Sequence, residues 1–168
     1  MTTTLNRPLP ALVPMTEPEY HAFLEAAVPD YATDKVASGE WAHDEALDLA
    51  TKSFESLLPQ GRVTKDNYFF TVRDDEFGAI GVLWIAAKER AGQRIAYVYN
   101  VAIEPDHRRK GHASRAFAAL EDQVRALGLS GIALHVFGHN AGAQALYAKL
   151  GYRQTNINMF KSLGPSGA

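Results

Sequence analysis

Val101-Ala-Ile-Glu-Pro-Asp-His-Arg-Arg-Lys-Gly-His-Ala-Ser114 is a strand end, a short basic loop and the first turn of a helix. The first turn of a helix leaves backbone N–H groups unpaired, and the helix dipole adds partial positive charge there, so this junction is built to meet an anion. Gly111 lets a ligand come close to the backbone, and the small side chain of Ala113 keeps that approach open. Arg108, Arg109, Lys110 and Arg115 add four cations, with no acid between His107 and Arg115. A diphosphate is the anion that best suits so many donors in so few residues. A solvated basic loop that merely starts a helix is the plainer alternative, because charge runs usually face water. Neither Gly-x-x-x-x-Gly-Lys-Ser/Thr nor Gly-x-Gly-x-x-Gly occurs here, which leaves a P-loop and a dinucleotide fold unsupported.

Upstream of this junction the chain has the period of strands. Tyr68–Val72, Ala79–Ala87 and Arg94–Ile103 are aromatic or apolar runs joined by the polar turns Arg73–Glu76 and Lys88–Gln93, an antiparallel meander. Further upstream, Leu12–Met15 reads as a short strand. Glu17–Ala27 reads as a helix with Thr16 as N-cap and Pro29 as its stop, and a second helix covers about His43–Leu57 before Pro59. Downstream, Ala113, Ala116, Phe117, Leu120, Val124 and Leu127 share one helical face, and Gly128 suits the C-terminus. A strand at Ile132–Phe137, a helix at Asn140–Leu150 and one or two strands within Tyr152–Leu163 complete a mixed α/β order. Residues 1–9 and 164–168 read as flexible ends and 10–163 as a single domain.

The 168 residues are 46% hydrophobic and 21% charged, with a net charge of -2, ordinary for a globular domain. That balance argues against nucleic acid as a partner. No apolar run approaches the ~20 residues of a membrane span, and residues 1–10 lack a signal pattern, so the expected location is cytoplasmic. With no cysteine, acyl transfer through a cysteine thioester and zinc–cysteine sites are both removed. His135 and His139 are four apart but flank a strand end, and no metal is expected.

Arg108-Arg109-Lys110-Gly111-His112-Ala113 resembles the pyrophosphate loop of GNAT acetyltransferases, Gln/Arg-x-x-Gly-x-Gly/Ala, and follows a strand ending Val-x-Ile-x-Pro as in that family. Asn140-Ala-Gly-Ala-Gln-Ala-Leu-Tyr-Ala-Lys-Leu-Gly-Tyr152 resembles the family's Asn-x-x-Ala-x-x-Leu-Tyr-x-Lys-x-Gly-Phe stretch. Ala113 stands where the family prefers Gly. The resemblance covers most of 11–163 and is specific over 95–152. It implies a GNAT-like α/β fold, a mixed and mostly antiparallel sheet with a splayed parallel strand pair. It also implies acetyl-coenzyme A as co-substrate and transfer of acetyl to an amine by direct attack in a ternary complex.

The same resemblance assigns roles. Arg108, Arg109, Lys110, Gly111, His112, Ala113 and Ser114 would hold the pyrophosphate, mainly through backbone N–H groups. Val101 and Ile103 would pair with the pantetheine arm like an added strand. Asn140 would meet the pantetheine, although Asn is also a favoured N-cap and both roles can hold. Tyr147 would protonate the departing thiolate; its reference pKa of about 10 keeps the O–H available, while its apolar helix face also suits a core position.

A lysine-like amine arrives protonated, and no general base is evident. Tyr97 and Tyr99 alternate with Val98 and Asn100, so they share one strand face, as holders of a proton-carrying water or as a core pair. From Glu17 to Asp48 there are nine acids and one base, Lys35. An acidic wall of that kind favours a cationic acceptor, with Tyr31 and Trp41 as its aromatic walls. The expected partner is thus an amine-bearing small molecule or peptide, and a homodimer stays open. Two alternatives remain at this level: an inactive coenzyme A-binding sensor or subunit, and a transferase for longer acyl chains or hydroxyl acceptors.

Overall fold

In the computed structural model, which describes residues 7–165, the elements run β1 (Ala11–Pro14), α1 (Glu17–Ala37), α2 (Ala46–Leu57), β2 (Asn67–Asp74), β3 (Gly78–Arg90), β4 (Gln93–Ile103), α3 (His112–Ala126), β5 (Ile132–Leu134) and α4 (Ala141–Lys149). The sheet order is β1-β2-β3-β4-β5, antiparallel from β1 to β4 and parallel between β4 and β5. This is the mixed α/β sheet expected from the sequence.

Both faces of the meander are covered, which explains why β3 is apolar along most of its length rather than alternating. Phe70, Leu83, Ile85 and Val98 pack with Phe117, Leu120 and Val124 of α3. Phe69 and Trp84 meet Tyr20, Phe23 and Ala27 of α1 and Phe54 of α2 on the opposite face. Gly81 sits against the backbone of β4: a Cβ there would clash with the Ala102 carbonyl oxygen.

Thr16 and Glu19 cap α1 reciprocally, the Glu19 carboxylate accepting from the Thr16 N–H and the Thr16 hydroxyl accepting from the Glu19 N–H. The helix does not stop at Pro29; it continues to Ala37. An interior proline costs about 3 kcal/mol. The turns beyond it recover that cost by packing, because Ala32 is buried against Ala46 and Ala50 of α2, with Tyr31 and Trp41 at the border. β5 is shorter than expected, and Tyr152–Leu163 forms no strand. No described helix is long and apolar enough to cross a membrane.

Asp74, at the end of β2, ties the far corners together. Its carboxylate accepts from the Glu76 and Phe77 N–H groups, from Arg7 at 2.7 Å and from Arg115 of α3 at 3.0 Å. Arg115 also donates to the Pro8 carbonyl. Arg7 and Pro8, inside the stretch expected to be a loose end, are therefore anchored; most of the remainder of that stretch lies outside the described residues. Burial pushes the Asp74 carboxyl up, but the backbone N–H groups and the arginines outweigh it and bring it down to about 2.

Two consequences are measurable. A carboxyl with a depressed folded pKa stabilises above its unfolded value and loses that contribution as pH falls through the folded one. The stability advantage of the wild type over Asp74→Asn is therefore expected to shrink by about 2 kcal/mol between pH 5 and pH 2 in urea unfolding. Gly81→Ala is expected to destabilise the fold by about 1–3 kcal/mol, because the clashing atom is backbone and cannot rotate away; a melting temperature equal to wild type would contradict the close approach.

Candidate active site

β4 and β5 pair only at Ala96–Val98 with Ile132–Leu134. Beyond Val98 the edge of β4 away from β3 pairs with no strand among the described residues, so its backbone groups are open to a ligand. The separation starts at a bulge: Trp84 pairs with Asn100 and Ile85 with Val98, leaving Tyr99 without a partner on β3. The gap widens into a cavity of about 510 Å³ lined by Val101, Ala102 and Ile103 of β4, Arg108, Asn140, and Asp30, Thr33 and Asp34 of α1.

The loop after β4 has the geometry of an anion cradle. Among the described residues, no backbone N–H from Arg109 to Ser114 finds an acceptor; the first bonds on either side are Arg108 to Pro105 and Arg115 to Gly111. Gly111 caps α3 in the left-handed region, φ 81°, with no side-chain cap, and Arg109 is left-handed as well, φ 62°. Successive N–H groups turned inward by such residues form a concave donor surface. Gly111 is exposed, so the cradle faces solvent.

The cations divide their work. The Arg108 Nε donates to the Ile103 carbonyl at 2.8 Å, and the Lys110 Nζ to the Asp106 carbonyl at 2.9 Å, so both brace the loop. Arg115 turns inward to Asp74 rather than toward the cradle. His112 is buried beside Phe77 and His107, and burial, opposed by Asp74 and reinforced by Arg115, holds its pKa down. Only its backbone is available to a ligand. Ala113 and Ser114 lie half-buried on the first turn of α3.

The Asn140 side chain caps α4 by accepting from the Ala143 N–H at 3.1 Å, and the residue also lines the cavity. Tyr147 packs edge-on against Phe117 at 5.4 Å and beside Tyr152. It does not line the cavity. Its hydroxyl bonds to no described residue and is not sealed from solvent, and burial of the ring raises its pKa above the ordinary 10.

Tyr97 and Tyr99 do share one side, with ring centres 4.8 Å apart. Tyr99 stacks on Trp84 at 4.4 Å, and the Lys88 ammonium lies 4.8 and 4.7 Å from the two ring centres. Burial, then Tyr99, raise the Tyr97 pKa, with Lys88 opposing and Tyr31 adding. Tyr31 and Trp41 meet edge-on at 5.4 Å and hold Lys35 over their faces. Much of the acidic stretch is spent locally: Glu17 pairs with Arg62, Glu19 with Arg73, Glu40 with Lys35 and Asp48 with Lys52. Asp30 and Asp34 face the cavity, and Asp34 lies 3.1 Å from His139. Sequence reasoning missed them as a pair because it ended the helix at Pro29. The available signal was the spacing of Asp30, Thr33 and Asp34, which puts all three on one helical face. Among the described residues no group of three or more side chains could hold a metal ion.

The sequence model of the Acetyltransferase (GNAT) family matches residues 21–152. The uncharacterised N-acetyltransferase YdgE of Bacillus subtilis (strain 168) is 37% identical over 149 residues, covering 89% of this chain and 95% of that one. YycN, another uncharacterised N-acetyltransferase of the same strain, is 34% identical over 152 residues, covering 90% and 97%. The crystal structure of YycN superposes with a TM-score of 0.88 over 92% of this chain and 98% of that one, at 34% identity. A loop of free N–H groups behind a splayed strand pair, and relatives matched almost end to end, lead to one conclusion: the chain belongs to the GNAT family of acetyltransferases.

Proposed function

We propose that the protein transfers acetyl from acetyl-coenzyme A to a primary amine by direct attack in a ternary complex. The observation that carries this reading is the run of six unpaired N–H groups from Arg109 to Ser114 beside the open edge of β4. The first grips the pyrophosphate, with the dipole of α3 behind it. The second gives the pantetheine amides a strand to pair with at Val101 and Ile103, although the Ile103 carbonyl is already shared with Arg108. Asn140 offers its amide NH₂ to the same arm while its oxygen caps α4.

The acceptor enters from the α1 side. Asp30 and Asp34 favour a cationic amine, as a small molecule or a peptide, and raise its local concentration. Tyr97 or Tyr99 holds the water that removes the ammonium proton. The freed nitrogen attacks the thioester carbon, the C–N bond forms as the C–S bond breaks, Tyr147 supplies the proton that converts the thiolate to thiol, and the second proton lost by the nitrogen as it becomes an amide returns Tyr147 to its neutral form through solvent. The bulge at Tyr99 frees a backbone donor for the thioester oxygen as charge builds on it. The chain has no cysteine to relay the acetyl group, which favours the single-step route.

Purified protein with acetyl-coenzyme A and a panel of amines is expected to release thiol with cationic primary amines. Coenzyme A binding in calorimetry without release across a broad panel would favour a non-catalytic binding module instead. Tyr147→Phe is expected to lower kcat about 100-fold and to leave coenzyme A affinity within about twofold, the separation expected of a proton donor. The double change Asp30→Asn, Asp34→Asn is expected to raise KM for a dicationic amine more than for a neutral-side-chain amine; equal effects would remove the acidic wall from recognition.

A further inference from the structure

The segment after α4 carries apolar side chains that nothing among the described residues covers. Every residue from Arg153 to Pro165 is exposed. Ile157 is 63% exposed, Met159 89%, Phe160 93% and Leu163 88%. Among the described residues, no backbone hydrogen bond ties this segment to the remainder of the chain; the last is from the Tyr152 N–H to the Tyr147 carbonyl. Asn156-Ile157-Asn158-Met159 alternates as a half-buried strand does, with Ile157, Met159 and Leu163 on one face.

The sheet lacks a strand at the same end. β5 is an edge, its residues Ile132, Ala133 and Leu134 are only half-buried, and no described residue from Ser130 onward is buried. Natural edges are usually blunted by proline, charge or shortness. The opposite edge follows that rule, since β1 is flanked by Pro10 and ends in Pro14. β5 is short, but its surroundings, Ile132 to Leu134 and then Val136 and Phe137, carry neither proline nor a formal charge. An open apolar edge and an unused apolar strand thus occur together in one chain.

We infer that the segment around Asn156–Leu163 adds as a strand to β5 of a second copy, reciprocally, in a two-fold dimer. Its own β5 is the competing site, and in the single chain that site is not taken. Gly151, φ 92°, and the seat of Tyr152 against Phe117 set the exit on the α3 side, and the segment runs off into solvent. Exchange of an identical element between copies satisfies both edges at once and closes without leaving a template for further growth. The area is adequate: four side chains of roughly 100 Å² on each of two segments, with a like area lost by the surfaces they cover, reach the ~1,600 Å² of a standard stable interface.

The test uses the full chain. Sedimentation equilibrium at micromolar concentration is expected to give twice the chain mass of 18.4 kDa. Met159→Asp with Phe160→Asp is expected to raise the dimer dissociation constant at least ~30-fold. The melting curve at monomeric dilution should not move, because both side chains are exposed in the isolated chain. The chain has no cysteine, so Ala133→Cys in one tagged copy and Ile157→Cys in a differently tagged copy are its only thiols. A bismaleimide is expected to join the two tags. A monomeric wild type, a dimer indifferent to the aspartates, or no cross-link between the two tags would each overturn the inference.

Discussion

Backbone groups left without partners at two neighbouring places organise this molecule. A sheet normally satisfies every interior N–H and C=O through the adjacent strand, and a helix satisfies all but its first four N–H groups. Here β4 loses its neighbour just past Val98, and α3 begins a few residues later with a bare first turn. The open edge of β4 and Arg108, at the head of the loop that leads to α3, line the same cavity. A ligand with amides along one stretch and charged phosphates along another answers both at once, and neither deficit requires a particular side chain. This explains why the loop tolerates Ala113 where the family prefers glycine, and why His112 can be buried: the backbone makes the cradle, and side chains only hold it in shape.

The shape is held by charge placed away from the ligand. Arg115, one turn into α3, points into Asp74 rather than outward, and Arg108 and Lys110 brace the loop through carbonyl oxygens. Removing one partner of such a buried pair leaves the other charge desolvated and unpaired, which is why the pair positions α3 so firmly. The same corner holds Arg7, linking the start of the described chain to the helix that carries the cradle. On the acceptor side the economy is similar: salt bridges consume much of the acidic stretch, and Asp30 and Asp34 reach the cavity.

The fold was legible where periodicity and punctuation agreed. Thr16 announced a capped helix, the turns at Arg73–Glu76 and Lys88–Gln93 announced a meander, and Gly111 announced the cradle. Legibility failed where packing overrode a local rule. Pro29 is a helix breaker by its missing N–H and its ring, yet Ala32 and Tyr31 beyond it bury enough surface against α2 to carry the helix to Ala37. Tyr152–Leu163 has the alternation of a strand, but a strand needs a partner edge, and no composition says whether that edge is in reach of its own chain. Tyr99 read as one residue of a regular alternation; its bulge follows from how β3 pairs with β4.

The sequence by itself determined the local chemistry: donors at the start of α3, a cap at Asn140, a tyrosine on the α4 face, and the absence of any cysteine route. Those depend on neighbours within a few residues, and short-range geometry is encoded in short-range order. Tertiary structure alone decided which charges survive to meet a ligand, that the helix crosses Pro29 so that Asp30 and Asp34 face β4, and where β4 and β5 part. Each of those outcomes depends on contacts between residues tens of positions apart, and a pairing of that kind is settled by the sum of buried surface and paired backbone across the whole sheet.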